Sequence, residues 1–320
     1  MKIHMVAALN QALDQAMEKD DSVVIMGEDV GVDGGVFRVT DGLIDKYGDR
    51  VIDTPLAEAG IVGSAIGMAL NGLKPIPEMQ FSGFSYQAFH HIKQHLSRFR
   101  QRSNGTFGLP LVLRAPCAGG IRALEHHSES PESFFIHCQG IKVVCPSGPY
   151  DAKGLMAGAI SDPDPVIFLE PKSIYRAFKE DVPEEAYELE LGKANISKTG
   201  TEITIITWGA MHRLVQQSVE ELGIDAEIID LRTLWPLDME TVLASVEKTS
   251  RALIVHEASV ALGLGSEIAA QIQEKAMLHL NAPVGRVGAL NIPFPPFSLE
   301  KMHIPDTNRI KNGIKKVMEF

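Results

Sequence analysis

The chain has 320 residues, of which 45% are hydrophobic, and its 30 basic and 41 acidic side chains give a net charge of −11. This length suits one large domain or two ordinary ones. The acidic balance argues against nucleic-acid binding and against a basic membrane-binding patch. Cys117, Cys138 and Cys145 are too few for a disulfide framework or a zinc site. Because the N-terminus also lacks signal-peptide features, we expect a cytoplasmic protein.

Predicted strands and helices alternate through the first half of the chain. In chain order we expect a helix (5–19), a strand (22–26), a helix (54–71), a strand (74–80), a helix (86–102), a strand (109–115), a strand (141–146), a helix (151–162) and a strand (166–170). This alternation predicts βαβ units and a mainly parallel sheet. Ligands bind beyond the carboxyl ends of such strands, which here carry Glu28, Gln80 and the loop 116–130.

The second half shows the same alternation after an acidic, proline-containing stretch. In chain order we expect a strand (202–209), a helix (210–222), a strand (226–231), a helix (238–248), a strand (252–257), a helix (265–280) and, after a Pro- and Gly-rich tail, a helix (306–318). The predicted fold class is therefore α/β with two doubly wound domains. We place them at residues 1–180 and 199–320, joined by a linker at 181–198.

One acidic side chain, Glu58, stands at the start of an almost entirely small and apolar predicted helix. Burying an uncompensated carboxylate is costly, so this residue is a candidate for proton chemistry with a bound ligand. A structural interpretation stays open beside it. Thr54 could cap the helix, and a carboxylate suits the positive end of the helix dipole.

A loop rich in glycine and histidine is the second unusual feature. Residues 118–131 combine two glycines with the adjacent His126 and His127, flanked by acids and hydroxyls. Loops at strand ends commonly carry function, and imidazole is the usual proton donor near neutral pH. The alternative is a polar surface loop without a chemical role.

Two weaker signals have simpler explanations. His91 and His95 have the spacing of metal ligands on one helix, but no third ligand is evident and a solvated helix face explains them better. The stretch 263–267 resembles part of a dinucleotide-binding fingerprint, but the third glycine and the ribose-binding acid are missing. A tight turn from strand to helix accounts for it.

Six segments are specific enough to indicate a family. They are Gly27–Val30, Asp53–Gly60, Glu78–Phe81, His127–Glu132, Pro146–Leu155 and Asp230–Asp238. Together they resemble the beta subunit of the thiamine-diphosphate-dependent decarboxylase of 2-oxo acid dehydrogenase complexes, in the transketolase-like superfamily. The match covers essentially the whole chain, in order and at family-like spacing. It implies a transketolase-like pyrimidine-binding domain followed by a transketolase C-terminal-like domain.

The resemblance implies a role for particular side chains. Glu58 matches the catalytic acid that hydrogen-bonds the aminopyrimidine ring of thiamine diphosphate. Gln80 and Phe84 match further parts of the pyrimidine pocket, and Leu56 matches a backbone and packing contact in the same wall. His127 matches the catalytic histidine that transfers protons during decarboxylation and reductive acylation of the lipoyl group.

One motif of the family is absent. The cofactor's diphosphate is normally held through Mg²⁺ by a Gly-Asp-Gly motif followed by an Asn, and neither 32–35 nor 40–42 fits that pattern. We therefore expect this chain to bind only the pyrimidine half and to contain no Mg²⁺ ligands. A separate alpha subunit would supply the Mg²⁺ and diphosphate half in an α2β2 heterotetramer.

The family resemblance also implies a monovalent cation of the K⁺ type, held in the loop after the 151–162 helix. Its ligands would be backbone carbonyls. The matching residues are Leu111, Ala159, Ile160, Asp162 and Asp164.

The predicted activity is oxidative decarboxylation of a small 2-oxo acid with transfer of the acyl group to a lipoyl group on a dihydrolipoyl acyltransferase core. Pyruvate is the favoured substrate. Branched-chain 2-oxo acids such as 2-oxoisovalerate and the cleavage of acetoin are alternatives. Two hypotheses from other functional classes stay open. One is a nucleotide-binding oxidoreductase, and the other is a non-catalytic assembly subunit in which the Glu58 region has only a packing role.

Overall fold

A computed structural model describes residues 1–320 and contains fourteen β-strands and twelve α-helices. The strands are β1 (Lys2–Ile3), β2 (Val23–Gly27), β3 (Val51–Asp53), β4 (Lys74–Glu78), β5 (Val112–Cys117), β6 (Lys142–Val144), β7 (Val166–Pro171), β8 (Glu180–Asp181), β9 (Asn195–Lys198), β10 (Ile203–Thr207), β11 (Ala226–Asp230), β12 (Thr233–Trp235), β13 (Ala252–Ser259) and β14 (Gly285–Ala289). The helices are α1 (Met5–Lys19), α2 (Leu43–Tyr47), α3 (Glu58–Leu70), α4 (Phe89–Gln94), α5 (Phe99–Arg102), α6 (Glu132–Ile136), α7 (Pro149–Ser161), α8 (Met211–Leu222), α9 (Met239–Thr249), α10 (Leu264–Ala276), α11 (Glu300–His303) and α12 (Thr307–Met318). None of these helices is long and apolar enough to span a bilayer.

Two largely parallel sheets form the framework. The first has seven strands in the order β12-β6-β7-β5-β4-β2-β3, and only β12 runs antiparallel to its neighbour. The second has five strands in the order β14-β13-β10-β11-β9, and only β9 is antiparallel. The α/β class with two doubly wound sheets is confirmed. The domain limits at 180 and 199 stay a prediction.

The seven-stranded sheet is buried on both faces because alternate residues of a strand point to opposite sides. Val166 and Phe168 of β7 pack in a hydrophobic cluster with α1 and α7. Ile167 and Leu169 pack in a different cluster, with α3 on the other face. That second cluster continues into the five-stranded sheet, so one apolar core runs through both halves.

The two halves meet at the carboxyl end of the five-stranded sheet. Gly209 follows β10 with φ +58°, and a Cβ there would lie 3.0 Å from the Sγ atom of Cys145 and 3.1 Å from Pro171. Cys145 N–H donates a hydrogen bond to the Arg232 carbonyl at 2.8 Å. The strand β12 then joins the seven-stranded sheet beside β6. The second half therefore packs its strand ends directly onto the first.

Some predicted element limits are wrong. The helix expected at 54–71 begins at Glu58, and Thr54 does not cap it, because the side-chain oxygen of Thr54 is buried without a hydrogen-bond partner. The segment 86–102 is not one helix: it consists of α4 and α5 separated by a 3-10 turn. Gly140 lies in close contact with the Ser97 carbonyl in that turn, so tertiary packing overrides the helical periodicity.

Candidate active site

The candidate site lies at the carboxyl edge of the seven-stranded sheet. Glu28 and Asp29 follow β2, and Gln80 lies two residues beyond β4. The side-chain amide of Gln80 donates a hydrogen bond to the Asp29 carboxylate at 2.8 Å. Because β2 and β4 are neighbours in the sheet, this bond fixes the relative positions of two loops at the edge.

Two acidic side chains are buried together at this edge. Glu58 is the first residue of α3 and only 5% exposed, and Glu28 is 4% exposed. Both carboxyl oxygens of Glu28 lack a hydrogen-bond partner. Burial, with a further contribution from the charge of Glu58, raises the pKa of Glu28 above its ordinary value. Buried acids with unused hydrogen-bonding capacity indicate a place for a polar ligand.

His127 lies in an aromatic cluster with Phe84 and with Phe81, the residue that follows Gln80. Its ring stacks on Phe81 with centroids 4.0 Å apart and meets the edge of Phe84 at 5.2 Å. Burial first, and then the charges of His126 and Lys172, lower the pKa of His127. The imidazole is therefore neutral near pH 7 and able to accept a proton.

Leu56 lies on the outer rim of the site. It precedes α3 by two residues, and its side chain is 80% exposed. Phe84, in contrast, is half-buried and contacts Phe81 edge-on at 5.6 Å. The predicted pocket residues thus range from the enclosed Glu58 to a leucine that faces outward, as expected for a site with an open side.

Glu28, Phe81 and Lys172 also belong to the site, although no sequence motif predicts a role for them. Glu28 is an acid directly after a buried strand, and this position is the only signal for it in the sequence. Phe81 and Lys172 are far apart in the chain, but Lys172 Nζ lies 5.8 Å from the centroid of the Phe81 ring. No local pattern reveals such a pair.

The histidines at the end of α4 do not form a metal centre. The rings of His90, His91 and His95 lie 5.4 to 5.6 Å apart. However, no group of three or more His, Cys, Asp or Glu side chains is arranged to hold a metal ion.

The glycines at the start of α10 have a packing explanation. A Cβ at Gly265 would lie 2.7 Å from the Nε2 atom of His256, which is fully buried. Glycine is therefore required there by the close approach of the helix to a histidine ring. This accounts for the partial nucleotide-binding fingerprint without a nucleotide.

The carbonyls expected to hold a monovalent cation surround the turn between α7 and β7. Leu111 accepts a hydrogen bond from the Val166 N–H at 2.9 Å, and the Ala159 carbonyl accepts one from the Asp162 N–H at 3.3 Å. The Asp164 N–H donates to the Asp162 side chain at 2.9 Å. Since a carbonyl oxygen has two lone pairs, Leu111 and Ala159 keep one for a cation.

Comparison with known proteins identifies the family. Residues 1–177 match the model described as transketolase, pyrimidine binding domain, and residues 192–310 match transketolase, C-terminal domain. The pyruvate dehydrogenase E1 component subunit beta of Acholeplasma laidlawii is 52% identical over 319 residues, covering 98% of each chain. The chain belongs to the family of pyruvate dehydrogenase E1 beta subunits. The subunit of Staphylococcus aureus (strain Mu50) is 47% identical over 320 residues, covering 99% of this chain and 98% of the relative.

A solved structure extends the comparison to the fold. A split gene transketolase, described as an inactive beta4 tetramer, matches with a TM-score of 0.82 and covers 100% of this chain and 99% of its own. At 21% identity it shows the fold alone. The pyrimidine-binding domain and the C-terminal domain predicted from the sequence are thus confirmed, as is the family, whose members are thiamine-diphosphate-dependent oxidoreductases.

Proposed function

We propose that this chain, with an alpha subunit, oxidatively decarboxylates pyruvate and transfers the acetyl group to a lipoyl group. The observation that carries the proposal is the 52% identity to a pyruvate dehydrogenase E1 beta subunit over nearly the whole chain. The buried acid pair of Glu28 and Glu58 and the neutral imidazole of His127 support it, because the reaction needs proton transfers next to the cofactor.

The edge of the seven-stranded sheet fits the pyrimidine half of thiamine diphosphate. The carboxyl oxygens of Glu28 and the hydroxyl of Thr54 are buried polar atoms without partners, as expected at a ligand's polar edge. When bound, thiamine diphosphate supplies the nucleophilic carbon and the electron sink for decarboxylation. Glu58 would hold and exchange a proton with a pyrimidine ring nitrogen. Gln80 would orient the ring by hydrogen bonding, and Phe84 would pack against it.

His127 would act as the proton-transfer group for the substrate and the lipoyl sulfur. Its lowered pKa keeps the imidazole neutral at physiological pH, so it can take up a proton and return it. Phe81 stacks on the imidazole with an interplanar angle of 14°, and this contact favours one plane for the ring. Fixed orientation is what a proton-transfer group requires.

The other half of the cofactor would come from an alpha subunit in an α2β2 heterotetramer. This chain has no Gly-Asp-Gly motif with a following Asn, and none of its acidic or histidine clusters is arranged for a metal ion. The exposed Leu56 lies at the rim that such a subunit would cover. The acyl acceptor would be the lipoyl group of a dihydrolipoyl acyltransferase core.

A K⁺-type cation at the carbonyls of Leu111, Ala159, Ile160, Asp162 and Asp164 would stabilise the turn after α7. A ligand that binds only the folded state raises its stability by mass action. We expect the melting temperature to be higher in potassium chloride than in tetramethylammonium chloride at equal ionic strength. Equal melting temperatures would contradict the site.

The decisive experiment combines this chain with its alpha-subunit candidate. Pyruvate, 2-oxoisovalerate and acetoin are offered in turn, with and without thiamine diphosphate and Mg²⁺. We expect turnover only when both chains and both cofactors are present, with pyruvate the best substrate. A higher rate with 2-oxoisovalerate or acetoin would replace pyruvate by that substrate. Turnover by this chain alone would contradict the division of the cofactor between two subunits.

A further inference from the structure

We propose that the C-terminal half of the chain positions His127. Its carboxylates Glu257 and Glu300 hold the backbone of residues 119 and 120, at the start of the loop that carries this histidine. Both would be positioning residues, since each bonds to the backbone of the loop and would act on His127 only through it. The inference deepens the proposed function and rests on the role given there to His127.

Three consecutive residues of the loop are held by charged side chains. The Gly119 N–H donates a hydrogen bond to Glu257 at 2.6 Å, and the Gly120 N–H donates one to Glu300 at 2.6 Å. Lys172 Nζ donates to the Ala118 carbonyl. Hydrogen bonds from an N–H to a carboxylate are about twice as strong as neutral ones. So dense a set of charged partners on one short backbone segment indicates a fixed anchor.

The backbone of this anchor needs outside support. Ala118 has φ +66°, which is unfavourable for a residue with a Cβ, and Gly120 has φ +90°. A Cβ at Gly119 would lie 2.7 Å from both Phe294 and Ile304. Strained backbone persists only where surrounding contacts determine it. Here those contacts come largely from the C-terminal half.

The anchor is connected to the histidine by the closure of the loop. The Ala118 N–H donates to the Glu129 carbonyl at 2.8 Å, so the two ends of the loop are bonded to each other. The Ser82 hydroxyl donates to the same carbonyl at 3.3 Å, and Gly83 lies in close contact with the His126 carbonyl. A shift at residues 118–120 is therefore transmitted to His127.

Lys172 links the same anchor to the histidine ring. It is only 3% exposed, and it lies near the ring of Phe81, on which His127 stacks. Burial lowers the pKa of Lys172 to about 8, while Cys117 and the two carboxylates, Glu257 and Glu300, act in the opposite direction and favour its charged form. The positive charge in turn helps to keep His127 neutral. The two carboxylates thus help to fix the position of the imidazole and, through Lys172, help to keep it neutral.

The test uses the complex reconstituted with the alpha subunit and the variants Glu257→Ala and Glu300→Ala. We expect acetyl transfer to lipoamide to fall by about tenfold or more for each, since a charge-assisted hydrogen bond is lost. The KM for pyruvate and the Kd for thiamine diphosphate should not change. Amide hydrogen exchange in the peptide 118–128 should become faster, while exchange in β4 and β7 stays as in the unmodified protein.

Two further variants separate positioning from mere structural support. Glu257→Gln keeps an oxygen that accepts from Gly119, so it should recover much of the transfer rate that Glu257→Ala loses. Lys172→Met removes a positive charge near His127, so the pH at which transfer falls on the acidic side should move upward. The control is Glu274→Ala, a change on the exposed face of α10 that should leave transfer and exchange unaltered.

Several outcomes would overturn the inference. Unchanged exchange and transfer in both alanine variants would show that the anchor is dispensable. A parallel loss of cofactor binding, or no recovery with Glu257→Gln, would reduce these residues to general structural support. An unmodified complex that does not use pyruvate would instead overturn the proposed function, and the exchange measurement would still report on the anchor by itself.

Discussion

The two sheets of this chain have the same parallel architecture but use their carboxyl edges differently. At the seven-stranded sheet the edge carries Glu28, Glu58 and Gln80 and remains available to a ligand. At the five-stranded sheet the corresponding edge is packed against the first half, through Gly209 after β10 and Glu257 on β13. The covered edge of the five-stranded sheet cannot bind a ligand, but it can hold in place the loops of the open edge that binds one.

The first half also contains two kinds of buried carboxylate. Glu170 receives two hydrogen bonds from the fully buried Arg114, at 2.7 and 3.0 Å, and Glu78 pairs with the same guanidinium. Glu28 and Glu58 are similarly buried but have no cation beside them. Paired carboxylates hold strands together. Unpaired ones at a sheet edge are suited to proton exchange with a ligand, and this difference distinguishes structural acids from the candidate site.

The strongest test of the open edge is Glu58→Gln. The amide cannot exchange a proton as a carboxyl group does, so we expect turnover of the reconstituted complex to fall by about 10² to 10⁴. Assembly with the alpha subunit should be retained, as judged by gel filtration, with Glu274→Gln as the matched surface control. Near-normal turnover would favour the non-catalytic assembly subunit.

The next largest effect is expected for His127→Ala. Acetyl transfer to lipoamide should fall by about 10², the lower range for loss of a general acid–base group. Binding of thiamine diphosphate should persist, because His127 contacts aromatic rings rather than the acid pair. Transfer at the rate of the unmodified complex would remove His127 from the mechanism.

The covered edge can be probed through Glu132, which is 3% exposed and whose pKa is raised to about 7, chiefly by burial and also by the charge of Glu257. The pKa of Glu132 is higher in the folded state than in the unfolded state. Its protonated carboxyl group therefore contributes most to stability at low pH, and that contribution is lost as the pH rises through 7. Glu132→Gln should therefore gain stability relative to the unmodified chain between pH 5 and pH 8, by roughly 2 kcal/mol. Denaturant unfolding at both pH values measures it, and a difference independent of pH would contradict the expectation.

The smallest effect is expected at the start of α12. Asp306 caps this helix by accepting a hydrogen bond from the Arg309 N–H at 2.8 Å. Asp306→Ala should lower the free energy of unfolding by about 1 kcal/mol, the usual cost of a lost cap. Turnover of the complex should not change. A loss of activity without a loss of stability would contradict this expectation, because it would show that the C-terminal helix takes part in catalysis.

Much of the fold was predictable because it depends on local periodicity. The apolar spacing of 5–19 matches α1, and the limits of α8 and β11 lie within a residue of the expected ones. Two of the misses share a cause. The strand β12 exists because residues 233–235 meet β6 across the two halves, and 86–102 breaks where Gly140 contacts it. Pairing partners distant in sequence leave no local pattern.

The same distinction between local pattern and distant contacts applies to the candidate site. The sequence by itself determined the family, the acid at the start of α3 and the histidine-bearing loop, because these depend on residue type and spacing along the chain. Only the tertiary structure placed Glu28 beside Glu58, Phe81 against His127, and Glu257 on Gly119. The raised pKa of Glu28 and the lowered pKa of His127 are set by burial and by charged neighbours from other parts of the chain. Distances between such neighbours are fixed only when both sheets pack, so the electrostatics of the site belong to the folded molecule and not to any segment of it.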